Sequence, residues 1–347
     1  MIKKIIVAPL NWGLGHASRC MPIIQFLLEN NFTPIIASDG KALLFLQKEF
    51  PTLDFLELPS YHISYAKNLK FGLLFQVPKI LKAVKKEHQF INEFIFKNKD
   101  VVGVISDNRF GVRSASVHSV YITHQINVFS GFTTFISSKI HQRIIKKFDE
   151  CWIPDSQNHQ LSGKLSEDTN KTLHLKFIGA LSRFSKQNLP IKNNVLIVLS
   201  GIESQRKSLE EKLLNEFKHY KGKVVLVQGK IEAEQNVREE NGISIYNYLL
   251  SSELEKKISQ SNLIVCRSGY SSIMDVAVLE KKAFLIPTPN QPEQEYLARH
   301  LEQLNASPFS TEKEFTLEKL KVIEDYKGLS AEKGTLDRNL LRLFQRK

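Results

Sequence analysis

Short runs rich in β-branched residues alternate with segments of helical period along the whole chain. This alternation restricts the fold more than any other feature, because it is the pattern of parallel sheets covered by helices. In the first half, strands are expected at Lys4 to Leu10, Thr33 to Ser38, Asp54 to Leu58, Val101 to Ser106, Val120 to Thr123 and Cys151 to Pro154. In the second half they are expected at Val195 to Leu199, Lys223 to Gln228, Ile243 to Tyr246, Leu263 to Cys266 and Ala283 to Pro287. The pattern restarts once, after Ile178 to Arg183, where the polar stretch Lys186 to Asn194 with Pro190 reads as a linker. The expected fold class is α/β, with Rossmann-like domains at 1–185 and 186–330 and a helix-prone segment at 331–347 that could pack on either. With 347 residues, each half can bury a full core. Two such domains facing each other would place a ligand cleft at the carboxyl ends of both sheets.

Composition narrows the class of partner. The chain is 42% hydrophobic and 24% charged with 16 Gly and 12 Pro, which excludes disordered and collagen-like chains. The formal charge of +12 implies attraction to anionic surfaces such as nucleic acid, phosphorylated small molecules or acidic lipid. Cys20, Cys151 and Cys266 lack CxxC or zinc-type spacing, so no metal site is expected and a reducing cytoplasm fits. The apolar run before Asn11 is too short for a signal peptide and reads as a first strand, and no segment is suited to span a membrane.

Two strand-turn-helix passages carry the candidate chemistry. The first strand runs into Asn11-Trp12-Gly13-Leu14-Gly15-His16-Ala17-Ser18-Arg19, followed by a helical apolar period. Glycines there let the backbone approach a ligand, and the N–H groups at a helix start favour anions. A dinucleotide-binding reading would use Asp39 on the ribose. However, Ser18 stands in place of the third glycine, and the gap from Gly13 to Asp39 exceeds the roughly 20 residues expected. His16 can take a proton near neutral pH. Its competing reading is a histidine that caps the helix or bonds a carbonyl.

The second passage is Cys266-Arg267-Ser268-Gly269-Tyr270-Ser271-Ser272-Ile273-Met274-Asp275. Ser268, Gly269, Ser271 and Ser272 can offer donors to a diphosphate, and Asp275, about one turn inside the helix, can accept from the two hydroxyls of a ribose. The other reading of Asp275 is a carboxylate complementing the helix dipole. Downstream, Gln294 and Glu295 suit sugar hydroxyls, unless they only open an ordinary helix.

These residues resemble nucleotide-sugar glycosyltransferases of the GT-B fold, in the branch that contains the peptidoglycan lipid-linked N-acetylglucosaminyltransferase and the diacylglycerol glycosyltransferases. The resemblance is densest from Cys266 to Asp275, continuing through Pro287 to Gln294-Glu295-Tyr296. It implies that Asp275 holds the ribose of UDP and that Gln294 and Glu295 contact the donor sugar. Arg267, Ser268, Gly269, Ser271 and Ser272 join them on the donor side. Ser200 and Gly201 look like a degenerate form of the family's glycine-rich loop, and Gly13, Gly15, His16 and Arg19 look like its N-terminal GxGHxxR-type loop. Asn11 and Trp12 replace glycines of the peptidoglycan enzyme. Thr123-His124-Gln125 resembles the acceptor-side strand end, and Gly179 with Arg183 resembles the diphosphate side.

The implied reaction moves a sugar from UDP to a hydroxyl acceptor, lipid-linked or a cell-envelope glycan, with inversion. Helix N-termini and Arg183 stand in for a metal, and no cofactor is expected. His16 is the implied base, with Asp107 and His124 as alternatives; Arg19, Asp107, His124 and Gln125 make up the acceptor side. Lysines at 67, 70, 79, 82, 85 and 86 surround an apolar segment, so Lys67 to Lys86 reads either as a peripheral patch for anionic membrane or as a solvated face over a core stripe. The implied location is cytoplasmic, at the inner face of the cytoplasmic membrane. Competing readings are a UDP-sugar epimerase of the same fold and a noncatalytic sugar-nucleotide-binding protein. A nucleic-acid-binding protein would explain the charge, but no aromatic RNA-binding signature, zinc spacing or arginine-rich stripe supports it.

Overall fold

The computed structural model describes residues 3–61, 69–168, 171–334 and 336–345, with only the backbone described at 69–77 and 132. Two sheets carry the chain. The first has strands β1 (Lys3–Pro9), β2 (Phe32–Ser38), β3 (Asp54–Glu57), β4 (Val101–Asp107), β5 (His118–Ile122), β6 (Glu150–Ile153) and β7 (Leu175–Phe177). Their order is β3-β2-β1-β4-β5-β6-β7, and every pairing is parallel. Helices α1 (Gly15–Glu29), α2 (Gly40–Glu49), α3 (Leu69–Lys97) and α4 (Thr134–Ile145) connect them. A parallel sheet covered on both faces needs apolar side chains in both directions, and Ile5 to Ala8 are accordingly all buried.

The second sheet has β8 (Asn193–Val198), β9 (Val224–Val227), β10 (Val237–Glu240), β11 (Ile243–Tyr246), β12 (Ser261–Cys266) and β13 (Lys282–Leu285), ordered β10-β11-β9-β8-β12-β13. Its helices are α5 (Glu203–Phe217), α6 (Ser251–Ser259), α7 (Tyr270–Val278) and α8 (Pro292–Gln303). Its core runs through Val195, Ile197, Leu226, Val265 and Phe284 to Phe315. Among the described pairings only β10 with β11 is antiparallel.

Strand order reverses between β1 and β4 in the first sheet and between β8 and β12 in the second. At such switch points the loops beyond the strand ends diverge, leaving room for a ligand. The passages singled out from the sequence follow these four strands: Gly13 to His16 after β1, Asp107 at the end of β4, Ser200-Gly201 after β8 and Arg267 to Gly269 after β12.

Two compact units result. One holds the residues up to Trp12, Arg19–Gly179 and the segment from Gly334 onward; the other holds Gly13–Ser18 with Ala180–Lys333. The end of the chain forms a 3-10 segment, Arg338–Gln345, whose Phe344 is buried against Gly103 of β4. A Cβ at Gly103 would lie 2.1 Å from the Phe344 ring, so the strand needs glycine there. Gly179, at φ +72°, meets Gly334 just as closely: a Cβ on it would be 2.5 Å from the Gly334 Cα. Among the described residues no helix is long and apolar enough to cross a membrane, and no group of three or more His, Cys, Asp or Glu is placed to hold a metal ion.

Candidate functional site

In the second unit the glycine turn and the α7 start are tied together. The Ser271 hydroxyl donates to the Gly15 carbonyl at 2.9 Å, and a Cβ on Gly15 would stand 3.0 Å from the Ser271 oxygen. Gly13 takes φ +68° with open space where a side chain would project. His16, the second residue of α1, is half-buried beside this junction. Ser18 donates to the Leu14 carbonyl and accepts from Arg183 Nη1 at 2.7 Å.

Gly269 is the N-cap of α7, whose first turn contains no acidic residue, so its N–H dipoles are not offset by the chain's own carboxylates. Ser271 and Ser272 are half-buried in that turn. Asp275 is also half-buried, and its Oδ1 accepts from the Ser182 hydroxyl at 2.6 Å. Burial pushes the Asp275 carboxyl above its ordinary value, opposed by the Arg183 guanidinium, the Ser182 hydrogen bond and Lys333. After β8, Gly201 is exposed at φ +102° beside half-buried Ser200, an open turn ahead of α5. Glu203, in the first turn of α5, is paired with Arg206 at 2.6 Å.

Three expected donor-side residues do other work. Arg267 is 1% exposed and turned inward: it donates to the carbonyls of Gln205, Ile286 and Pro287 and pairs with Glu312 at 2.7 Å. It braces the strand-end loops of its sheet. Ser268 is fully buried, with its hydroxyl on the Gln294 carbonyl. Gln294 is buried too, its Oε1 accepting from the Thr288 N–H at 2.9 Å, so it shapes the loop where a sugar contact was expected. Glu295 stays half-exposed near Arg299.

In the first unit the expected acceptor-side residues converge, but not as open ligand groups. Buried Arg19 and Asp107 form a two-pronged ion pair, Nε to Oδ2 at 2.5 Å and Nη2 to Oδ1. Cys20 Sγ and Asn108 Nδ2 also donate to Asp107, at 3.6 and 3.3 Å. Both oxygens of Asp107 and the fork of Arg19 are thus engaged within this buried cluster. Arg19 Nη1 lies 3.1 Å from Nδ1 of buried His124. Gln125 is half-buried, its N–H on Thr123 Oγ1.

Beside this cluster is a network that sequence patterning missed. Arg109, with no exposed surface, donates to Asp39 at 2.6 Å, to Glu87 at 2.5 Å and to the Pro59 carbonyl at 2.9 Å. Glu87 also accepts from Tyr61 at 2.6 Å and from the Gly111 N–H at 2.9 Å. Asp39, the acid a dinucleotide site would need, is further held by Asn11 Nδ2 at 3.1 Å. Asn11 thus has a structural role where the resembling enzyme has glycine.

In the Lys67 to Lys86 segment, Lys67 lies outside the described residues, as do the side chains at 70–77. Lys79, Lys82, Lys85 and Lys86 are exposed; of the apolar residues Ile80, Leu81, Val84 and Ile91 that a core stripe would use, only Ile91 is buried, Ile80 and Val84 are half-buried and Leu81 is 61% exposed. A more apolar exposed surface lies on α4, where Phe135, Ile136 and Ile140 are 69%, 60% and 52% exposed among Lys139, Arg143, Lys146 and Lys147.

Residues 195–328 match the family model described as the glycosyltransferase family 28 C-terminal domain. The curated relatives that the chain matches include two named UDP-N-acetylglucosamine–N-acetylmuramyl-(pentapeptide) pyrophosphoryl-undecaprenol N-acetylglucosamine transferase. The one from Glaesserella parasuis serovar 5 is 23% identical over 331 residues, covering 92% of this chain and 88% of its own. The one from Caldanaerobacter subterraneus subsp. tengcongensis is 23% identical over 322 residues, covering 88% and 86%. Among solved structures, MurG of Acinetobacter baumannii superposes with a TM-score of 0.57 at 14% identity over 99% of this chain and 100% of that one. The kitacinnamycin glycotransferase gives 0.63 at 12% identity over 99% and 93%. Both sheets, their helices and these likenesses give one conclusion: the chain carries a glycosyltransferase family 28 C-terminal domain on a GT-B fold, and it is a glycosyltransferase.

Proposed function

We propose that this enzyme is a hexosyltransferase that moves a hexose or N-acetylhexosamine from a UDP-sugar to a hydroxyl of a lipid-linked or cell-envelope acceptor, with inversion. The observation that carries the reading is the Ser271–Gly15 hydrogen bond, which holds the glycine turn bearing His16 against the N-terminus of α7. A diphosphate at that helix start would receive backbone N–H donors and the positive end of the helix dipole, with Arg183 adding a cation. No metal or other cofactor is required. Asp275, now bonded by Ser182, would exchange that partner for the ribose hydroxyls.

His16 then acts as the base. It takes the proton of the acceptor hydroxyl as the oxygen attacks the anomeric carbon, and the bond to the diphosphate breaks to release UDP. Asp107 is withdrawn from this role by its ion pair with Arg19. N-acetylglucosamine is the first donor sugar to test, because the relatives' names specify it. The enzyme would work at the inner face of the cytoplasmic membrane, where exposed Phe135, Ile136 and Ile140 meet acyl chains and the neighbouring lysines meet anionic headgroups.

Calorimetric titration with UDP, UDP-GlcNAc, UDP-glucose and UDP-galactose, with NAD as control, tests the donor. Saturable uridine nucleotide binding is expected, and Asp275→Ala should abolish it. His16→Ala should keep the UDP affinity and lose at least 100-fold in transfer. Binding of NAD with no uridine nucleotide bound at millimolar concentration would overturn the reading.

A further inference from the structure

The chain leaves β1 over three consecutive anchored residues. Leu10 and Trp12 pack with Tyr61, Ala83 and Val84, while Asn11 between them is bonded to the start of α2. Asp39 is the N-cap residue of α2, yet its carboxylate makes no cap bond, because one oxygen is taken by Arg109 and the other by Asn11. Asn11 supplies the missing bond in its place. Its Oδ1 accepts from the N–H of Ala42, the third residue of α2, at 3.3 Å, while its Nδ2 donates to Asp39 at 3.1 Å. These two contacts need an acceptor and a donor on one short side chain, which an amide provides and a carboxylate does not. Gly40, at φ +52°, makes the room: a Cβ on it would lie 2.5 Å from Asn11 Nδ2.

We propose that Asn11 is a positioning residue for His16: by fixing the chain two residues ahead of Gly13 it sets where the glycine turn begins, and it acts on turnover and not on nucleotide binding. Gly13, at φ +68°, brings no side chain to hold the turn, so the place of its start depends on the anchor before it. A displacement of about 1 Å at a reacting group costs about 100-fold in rate. The link to His16 rests on the glycosyl-transfer reading above; the anchoring by Asn11 does not.

Kinetics of the full-length protein test the role. Asn11→Gly should lower kcat about tenfold and keep the UDP affinity and the acceptor KM within about twofold. An unchanged kcat, or a loss carried by either binding constant, overturns the proposal. Asn11→Ser, whose hydroxyl can serve one of the two contacts, should lose kcat by a smaller factor. Gly40→Ala presses on the amide from the other side and should also lower kcat. In the double variant Asn11→Gly/Gly40→Ala there is no amide to press, so the loss should be no larger than in Asn11→Gly alone; losses that multiply overturn the coupling. The anchor is also read without turnover. Of the two tryptophans, Trp152 is fully buried and Trp12 half-buried, so acrylamide quenching of the fluorescence reports Trp12. Asn11→Gly should raise the quenching constant about twofold with the far-UV circular dichroism unchanged; an unchanged constant overturns the anchor. If no acceptor supports transfer, the functional reading fails while quenching still decides whether Asn11 holds the chain ahead of the turn.

Discussion

Arg109 is the residue whose loss should cost most. It is enclosed with two carboxylates, and removing it would leave Asp39 and Glu87 buried side by side without their cation. Deleting one partner of a buried pair typically costs about 3–5 kcal/mol, so Arg109→Met should lower unfolding free energy by about that much in urea titrations, with UDP binding as the control. His141 gives a pH-dependent counterpart. Burial, together with His124 nearby, lowers its pKa from 6.5 to about 4, the Gln125 backbone opposing. Between those values the unfolded chain binds the proton and the folded chain does not. Stability is therefore complete above about pH 6.5 and falls toward pH 4, by about 3 kcal/mol in all at 1.36 kcal/mol per pKa unit. Urea midpoints measured from pH 7.5 to 4 should show this slope in the native protein and lose it in His141→Gln. Sequence reading singled out Gly13, Gly15 and Asp275 through their turn-and-helix setting, and the structure places them on such turns and helices. It could not foresee the buried contacts of Arg19, Arg267 and Gln294, because their partners Asp107, Glu312 and Thr288 are brought to them by tertiary structure.

Elements were easier to read than side-chain roles. Every strand expected from the sequence is present, because buried parallel strands are apolar on both faces and stand out from their surroundings. The two strands not anticipated have physical reasons to be quiet. β7 has only three residues, and β10, Val-Arg-Glu-Glu, is exposed along its whole length and held by antiparallel pairing with β11. The segment expected as a terminal helix is instead 3-10 over Arg338–Gln345, with Leu340, Leu341 and Phe344 turned inward. α4 drew no attention in the sequence, since only the fold shows that its apolar residues point outward. Replacing Phe135, Ile136 and Ile140 together by serine should weaken co-sedimentation with phosphatidylglycerol vesicles at least tenfold and leave UDP affinity unchanged. Binding by the native protein should weaken with added salt, since each basic residue near an anionic surface contributes about 1 kcal/mol that ions screen. Unchanged vesicle binding in the triple serine variant would remove α4 from the membrane reading.

At the scale of the whole molecule, the chain does not divide into two consecutive pieces. The linear reading placed a boundary near residue 185; contacts part the units between Gly179 and Ala180, assign Gly13–Ser18 to the second and return the segment from Gly334 to the first. Such exchanges come from close approaches like Gly179 with Gly334, which spacing along a sequence does not reveal. A chain ended at Asp337 should therefore lose stability in the first unit, seen as a separate early melting transition, while its UDP affinity stays within about twofold of the full chain. That outcome is expected because a buried Phe removed from a core costs about 3–5 kcal/mol. The contact between Phe344 and Gly103 also bears on biosynthesis. Domains generally fold as they leave the ribosome, N-terminal first, but here the first sheet lacks the aromatic ring that fills the space over β4 until the whole second sheet has been made. The unit begun first is thus completed only after the chain of the second has been made.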